Sequence, residues 1–147
     1  MAEFKITQTR CVSMPRLRWK PKEEHLFGTY WHRFVEPADY FDPNRECMIA
    51  VLLNCRDFVI GHHLVSIGTL TNTLTTSREV FRAAIIGAAH SIVMMHNHPS
   101  DVATPSELDI ETTRQLSRAG ELLGIRLLDH IIVTRDTIFS HRIAGLI

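Results

Sequence analysis

The sequence predicts a single α/β domain built in two or three layers, and three observations predict it. Apolar residues make up 45% of the 147 residues and charged residues 22%, which is typical of a globular chain long enough to bury a core. Segments typical of strands alternate with segments typical of helices. Neither an internal repeat nor a low-complexity tract interrupts this alternation.

The first 45 residues are predicted to be an N-terminal extension of one strand and irregular structure. The strand is assigned to residues 4–12, "FKITQTRCV", where apolar and polar residues alternate weakly. In "EPADYFDPN" (36–44) we expect a short helical turn bounded by Pro37 and Pro43. The domain itself is predicted to span residues 46–147.

Charge is unevenly distributed although the formal net charge is zero. Residues 1–35 carry seven Lys or Arg and three Asp or Glu, whereas residues 36–147 carry nine and thirteen. The basic run "RLRWKPK" (16–22) could contact phosphate, but we interpret it as a solvated edge. Because the chain start lacks the apolar core of a signal peptide and no apolar run is long enough to span a membrane, we expect a cytoplasmic protein without membrane association.

Five segments are predicted to be strands. "ECMIAVLLN" (46–54) and "HSIVMMH" (90–96) are apolar runs of the kind found in strands buried on both faces. "FVIGHHLVSIG" (58–68) reads as a second strand after a turn. "IRLLDHIIVT" (125–134) and "TIFSHRIA" (137–144) are predicted to form the last two strands, joined by a polar turn.

Two helices are predicted from capping boxes, in which a Ser or Thr precedes a Glu by three residues. Thr76 and Glu79 form the first box, ahead of the helical pattern "VFRAAIIGAA". Thr104 and Glu107 form the second, with a proline at the first helical position. That helix is expected to end near Gly124, since glycine is favoured just past a helix C-terminus.

Two histidines and one acid make the strongest functional pattern in the sequence. His96 and His98 lie at positions i and i+2 at the end of a predicted strand, so their side chains point to the same face. Asp109 follows in the next predicted helix, which can fold back over the strand end. Two imidazoles and one carboxylate leave a fourth position for water, as in catalytic rather than structural zinc sites. The sequence therefore predicts a metal site.

A general base is sought among the remaining acids. Glu79 and Glu107 are assigned to the capping boxes, and Glu111 falls on a different helix face from Asp109. Glu46 begins a predicted buried strand, where a carboxylate is costly to bury unless it has a partner or a function. It is interpreted as the general base and proton shuttle, and the alternative is a solvated acid at the strand entry.

The pattern resembles a known family. Glu46, then His96-Asn-His98, seven residues, Ser106, two residues and Asp109 match the signature E–(n)–H-x-H-x7-S-x2-D of the JAMM (MPN+) metalloproteases. Within that family, "REVFRAAIIGAAHSIVMMHNHPSDVATPSELD" and "LLGIRLLDHIIV" resemble the RadC branch. The resemblance covers roughly residues 45–147.

The resemblance implies a fold, a cofactor and residue roles. The fold would be a mixed β-sheet flanked by helices, akin to the cytidine-deaminase-like fold. One zinc ion per chain would be held by His96, His98 and Asp109. Ser106 would stabilise an oxyanion, and Glu46 would be catalytic. The helix-hairpin-helix segment that usually precedes the domain in RadC proteins is not recognisable here, and Asp101 stands where that branch usually has glycine.

Three functions follow as expectations. The first is a zinc hydrolase that cleaves an amide, peptide or isopeptide, in an unidentified peptide or protein substrate. The second is a metal-dependent enzyme acting on nucleic acid in DNA repair, which the acidic balance of residues 36–147 disfavours. The third is a non-catalytic binding module with the same fold. The oligomeric state stays open.

Overall fold

A computed structural model describes residues 17–68 and 73–147, without the side chains of residues 73–76. The strand predicted at 4–12 lies outside the described residues. The described chain forms three helices and five strands, which in chain order are α1 (His25–Phe34), β1 (Cys47–Leu53), β2 (Val59–Ile67), α2 (Thr73–Ile86), β3 (Ser91–Asn97), α3 (Glu107–Leu123), β4 (Arg126–Val133) and β5 (Ile138–Ser140).

The five strands form one mixed sheet in the order β2-β1-β3-β4-β5. β1 is antiparallel to both β2 and β3, and β4 is antiparallel to β5. β3 and β4 run parallel, connected through α3. The predicted α/β class with a mixed sheet flanked by helices is confirmed.

Helices cover both faces of the sheet, which explains the unbroken apolar runs of its central strands. β1 and β3 are buried at every position, and alternate residues enter two separate cores. One core lies under α1 and contains Ile49, Val51 and Val93. The other lies under α2 and α3 and contains Ala50 and Met94. His96, two residues after Met94, faces the side covered by α3.

The helix α1 is absent from the sequence prediction, which gave residues 13–45 no helix beyond a short turn. Phe27, Tyr30 and Trp31 are each at most 1% exposed and sit at the i, i+3, i+4 spacing of one helix face. Glu24 precedes the helix without a side-chain capping bond. The usual start signal is therefore missing, and the segment before residue 46 contributes to the same core as the sheet.

Both predicted helix starts are wrong. α2 begins at Thr73, so Thr76 lies inside the helix, and Glu79 pairs with Arg82 one turn later. α3 begins at Glu107, and its N-cap is Ser106 rather than Thr104. The capping box that forms joins Ser106 to Asp109. The predicted end of α3 is confirmed, because Gly124 is its C-cap, in the left-handed conformation with φ 69°.

The last predicted strand, 137–144, is too long. β5 ends at Ser140, and the chain then turns through residues 141–145. The His141 amide still donates to the carbonyl oxygen of His130. Bonds that involve side chains then hold the turn to β4: His141 Nδ1 donates to the same oxygen, and the Arg142 amide donates to the buried Asp129 carboxylate. Among the described helices, none is both long enough and apolar enough to cross a membrane.

Candidate metal centre

The two histidines at the end of β3 converge as the strand geometry predicts. His96 is the penultimate residue of β3, and His98 follows the strand directly. Their Nε2 atoms are 3.0 Å apart. The His96 side chain is 1% exposed and that of His98 is 11% exposed. The pair therefore lies at the bottom of a cleft, with His98 nearer the opening.

Asp109 is brought to the histidines by the first turn of α3. Its carboxylate lies 3.2 Å from His96 Nε2 through Oδ1 and 3.4 Å from His98 Nε2 through Oδ2. The capping box fixes its orientation, since the backbone N–H and the hydroxyl of Ser106 both donate to Asp109 Oδ2 at 2.7 Å. Ser106 Oγ in turn accepts from the Asp109 amide. The helix N-terminus also favours a negative charge at this position.

Glu46 lies beside the histidines, immediately before β1. Its Oε1 is 3.8 Å from His98 Nε2, and its side chain is 29% exposed. Asn97, the residue between the two histidines, holds the backbone on both sides of Glu46: its Oδ1 accepts from the Cys47 amide at 2.8 Å and its Nδ2 donates to the Arg45 carbonyl at 3.1 Å. The strand that carries the histidines therefore also positions the acid.

The hydrogen bonds of His98 determine which of its nitrogens faces the cluster with a free lone pair. His98 Nδ1 lies 2.7 Å from the carbonyl oxygen of Val102, which can only accept. The proton of the neutral ring therefore sits on Nδ1, and the Nε2 lone pair points to His96 and Asp109. In the absence of a cation, two nitrogen atoms and a carboxylate would face each other at 3.0–3.4 Å without enough protons.

Electrostatics show that the cluster attracts positive charge. Burial by itself opposes ionisation of Asp109, but its hydrogen bonds with His96 and His98 hold the pKa of this carboxyl well below its usual range. The hydrogen bond with Asp109 raises the pKa of His98 against the effect of burial. Both shifts favour a positive charge beside the Asp109 carboxylate.

The donor set fits a metal ion. Glu46, His96 and His98 offer ligand atoms that all lie within 4.8 Å of one another, so they form a group that could hold a metal ion. Asp109 contacts both histidines, so it could complete such a group. Imidazole nitrogen combined with carboxylate oxygen is a common ligand set of zinc in proteins.

A cleft of about 660 Å³ opens beside this cluster. Glu46, His98 and Ser106 line it, and so does Gly68, which directly follows β2. In the described part of its lining, Arg45 is the only Lys or Arg. The acid, the outer histidine and the hydroxyl group are therefore all accessible from one cleft.

The sequence analysis assigned no role in the site to two residues of this region, Asn97 and Asp101. Asn97 carries an amide in the middle of the H-x-H motif, which is the signal that could have identified its clamping role. Asp101, where the RadC branch usually has glycine, adopts a φ of 61°. Its Oδ1 accepts the Arg135 amide at 2.8 Å. That hydrogen bond offsets part of the cost of the left-handed conformation, which Asp tolerates better than most residues.

Comparison with known proteins assigns most of the chain to one family. The family model described as the RadC-like JAB domain matches residues 29–146. A UPF0758 protein of Chlorobaculum parvum is 45% identical over 101 residues, which are 69% of this chain and 46% of that protein. A UPF0758 protein of Desulforamulus reducens is 43% identical over 109 residues, 74% of this chain and 48% of that protein.

A third relative extends the same picture. The UPF0758 protein of Desulforudis audaxviator is 41% identical over 112 residues, covering 76% of this chain and 48% of its own. This chain thus spans about half the length of the relatives it matches. The functions of those longer proteins can therefore be attributed to this chain only as a proposal.

Proposed function

Because this chain belongs to the RadC-like JAB domain family, we propose that it is a zinc-dependent hydrolase that cleaves an amide bond, peptide or isopeptide, with water as the nucleophile. The observation that carries the proposal is the convergence of two imidazole nitrogens and a carboxylate within 3.4 Å at the end of β3. The substrate is a peptide or protein segment that enters the adjoining cleft.

His96, His98 and Asp109 would hold one zinc ion per chain. When bound, zinc would polarise the scissile carbonyl and lower the pKa of water towards neutrality. The protein contributes rigid ligands: His96 and Asp109 are almost fully buried, and hydrogen bonds to Val102 and Ser106 fix His98 and Asp109. Buried and oriented ligands favour a defined coordination geometry.

Glu46 is proposed as the general base. Its carboxylate is partly exposed to the cleft and lies 3.8 Å from His98 Nε2, so it can reach a water molecule beside the metal ligands. It would take a proton from the attacking water and deliver it to the leaving nitrogen. General base catalysis of this kind contributes about 10²- to 10⁴-fold in rate.

Ser106 is proposed to donate a hydrogen bond to the oxyanion that forms when water attacks the carbonyl carbon. Ser106 is exposed at the cleft, which gives a substrate access to its hydroxyl group. The hydroxyl proton currently goes to Asp109 Oδ2. The proposed role therefore requires rotation of the hydroxyl group about the Cβ–Oγ bond, which turns its proton from Asp109 towards the substrate while Oγ still accepts the Asp109 amide.

The charge of the cleft supports an amide substrate rather than a nucleic acid. The described lining contains one cationic side chain, Arg45, next to the acidic Glu46. Binding to a phosphate backbone needs several Lys or Arg side chains along one groove. The nucleic-acid alternative is therefore kept as an outcome of the test.

The test pairs zinc content with hydrolysis. Wild-type protein loaded with one equivalent of zinc is screened against fluorogenic peptides and isopeptide-linked peptides. Glu46→Gln should keep the fold and the zinc but lose on the order of 10²-fold or more in turnover, because the base is gone. The matched control is Glu111→Gln, an exposed acid on α3, which should retain wild-type turnover. His96→Ala should lose zinc.

Four results would contradict parts of this proposal. Wild-type turnover by Glu46→Gln would remove the acid from the mechanism. Full zinc retention by both His96→Ala and Asp109→Ala would reject the ligand assignment. Cleavage of single-stranded nucleic acid but of no amide would replace the proposed substrate class. A zinc-loaded protein that cleaves neither would be a binding module.

A further inference from the structure

We infer that Thr113 and His130 are positioning residues that fix His96 in the tautomer able to bind a metal through Nε2. This inference rests on the proposed function, because it concerns a ligand of the proposed zinc ion. Thr113, His130 and His96 are buried, each with a relative exposure of 0% for the whole residue. They form one continuous chain of hydrogen bonds from α3 through β4 to β3.

This series of hydrogen bonds starts at the Thr113 hydroxyl group, whose donor role is fixed by its partner. Thr113 Oγ1 lies 2.6 Å from the carbonyl oxygen of Asp109, one helical turn earlier. A carbonyl oxygen can only accept, so the single hydroxyl proton of Thr113 is committed to it. The lone pairs of the same oxygen remain for its second neighbour.

That second neighbour is His130. Its Nδ1 lies 2.6 Å from Thr113 Oγ1. Because the Thr113 proton is already used, the hydrogen of this contact must come from His130 Nδ1. Among the described residues His130 forms no ion pair with a carboxylate, and the neutral ring has its single proton on Nδ1. Its Nε2 is then an acceptor.

The consequence falls on His96. His96 Nδ1 lies 2.8 Å from His130 Nε2. Since His130 Nε2 accepts, His96 Nδ1 must carry the proton, and the neutral His96 ring has its lone pair on Nε2. This nitrogen is the one 3.2 Å from Asp109 Oδ1 and 3.0 Å from His98 Nε2. The relay therefore presents to the cluster the nitrogen atom that a metal needs.

His141 contacts His130, the central residue of this hydrogen-bonded series, in two ways. Its ring stacks on His130, with centroids 4.6 Å apart and planes 11° from parallel. Its Nδ1 donates to the His130 carbonyl oxygen at 2.7 Å. Thr113 also bonds the backbone of Asp109, whose carboxylate contacts His96. The hydrogen bonds between Thr113, His130 and His96 therefore connect the two proposed ligands Asp109 and His96 through α3, β4 and β3.

Without the Thr113 hydroxyl group, a second arrangement of protons on His130 and His96 becomes possible. His130 could then carry its proton on Nε2 and donate to His96 Nδ1. His96 would hold its own proton on Nε2, where it blocks metal binding. The hydroxyl group disfavours that state, because its single proton would have to serve both the Asp109 carbonyl oxygen and His130 Nδ1.

The test compares two neighbouring threonines. Thr113→Val removes the hydroxyl group at nearly constant volume and should weaken zinc binding about 10- to 100-fold, the usual effect of losing a group that orients a ligand. The matched control is Thr112→Val, since Thr112 is also buried on α3 and its hydroxyl group has no hydrogen-bond partner in the described part of the chain. Its zinc dissociation constant should stay within about twofold of wild type, and Thr113→Ser should restore binding.

A spectroscopic measurement tests the tautomer without any substrate. Nitrogen-15 NMR of the zinc-free wild type at neutral pH should show the proton on Nδ1 of both His130 and His96. In Thr113→Val the population with the proton on His96 Nε2 should rise, and in Thr112→Val it should not.

The outcomes separate this inference from the proposed function. A wild-type His130 protonated on Nε2 would overturn the inference, even if Thr113→Val does not fold. Equal zinc affinity of Thr113→Val and Thr112→Val, both folded, would overturn it as well. Absence of amide hydrolysis would reject the proposed reaction and leave the tautomer result standing.

Discussion

Ser106 has one role that the structure shows, as a helix cap, and one that we propose, as an oxyanion donor, and substitutions can separate their effects. As the N-cap of α3 it accepts the Asp109 amide, and it donates to the Asp109 carboxylate. The sequence predicted Thr104 as the N-cap, whereas the structure shows that Ser106 caps the helix. Alanine is therefore a poor test, because it removes both the cap and the hydroxyl group, and the lost cap alone costs about 1 kcal/mol.

Glycine at position 106 is the sharper substitution. Glycine is a favourable N-cap, so Ser106→Gly should lower the free energy of unfolding by only a few tenths of a kcal/mol. If the hydroxyl group stabilises the oxyanion, kcat should fall about 10²- to 10³-fold. Urea unfolding and steady-state kinetics on a substrate from the peptide screen measure the two effects. Ser106→Thr, which keeps the hydroxyl group, is the control, and unchanged turnover in Ser106→Gly would reject the catalytic role.

At the scale of the element, the C-terminal end of α3 is set by two glycines that act for different reasons. Gly120 is buried, and a Cβ there would collide with the carbonyl oxygen of Ile125. Gly124 has open space around it but a φ of 69°. The close return of the chain from α3 into β4, which carries His130, depends on both.

Alanine substitutions should distinguish the two causes. Gly124→Ala should cost about 1 kcal/mol of unfolding free energy, the price of a left-handed conformation in a residue with Cβ. Gly120→Ala should cost about 2 kcal/mol or more, because backbone must move. Chemical denaturation measures both. A Gly120→Ala variant as stable as wild type would show that the turn can relax, and Ala119→Gly on the same helix controls for helix propensity.

At the scale of the whole molecule, a buried histidine joins α1 to the edge of the sheet. His62 on β2 is 3% exposed, and its two ring nitrogens contact the hydroxyl groups of Tyr30 at 2.6 Å and Tyr40 at 3.1 Å. Burial, and secondarily the nearby His63, lowers the pKa of His62 from 6.5 to about 4. The folded state therefore binds fewer protons than the unfolded state between these two values.

The sign of the pH dependence follows directly. The contribution of His62 to stability is fully present above pH 6.5 and is lost as the pH falls towards 4, by about 1.4 kcal/mol per pH unit. Between pH 7 and pH 5, chelator-treated wild type should lose roughly 2 kcal/mol more than His62→Gln. The control is His25→Gln, an exposed position at the start of α1. Equal losses in wild type and His62→Gln would contradict the assignment.

Local patterns in the sequence were enough to predict much of the fold. Continuous apolar runs gave the strands around Val51, Met94 and Ile131, because a strand covered on both faces leaves no polar positions. The glycine at the end of α3 was recognisable because only a residue at ease with positive φ fits there. The predicted convergence of His96 and His98 follows from the period of two in a strand.

Tertiary contacts decided the remainder. Helix α1 lacks a capping signal, and its aromatic face becomes interpretable only where it packs on the sheet. The choice of Ser106 over Thr104 as the N-cap depends on reciprocal bonds with Asp109. Local pattern could not reveal the contact of Glu46 with His98, because fifty-one residues separate them and only pairing of β1 with β3 brings them together.

The candidate metal site likewise has features that the sequence determines and features that only the tertiary structure determines. The sequence by itself determined the identity and spacing of the histidines and the acid on α3, since these follow from one strand, one turn and one helix. Only the tertiary structure determined which ring nitrogens face the cluster. That property depends on Val102, Thr113 and His130, which belong to a loop, a helix and a strand. Proton positions on imidazole are set by spatial partners, and the sequence does not encode spatial partners locally.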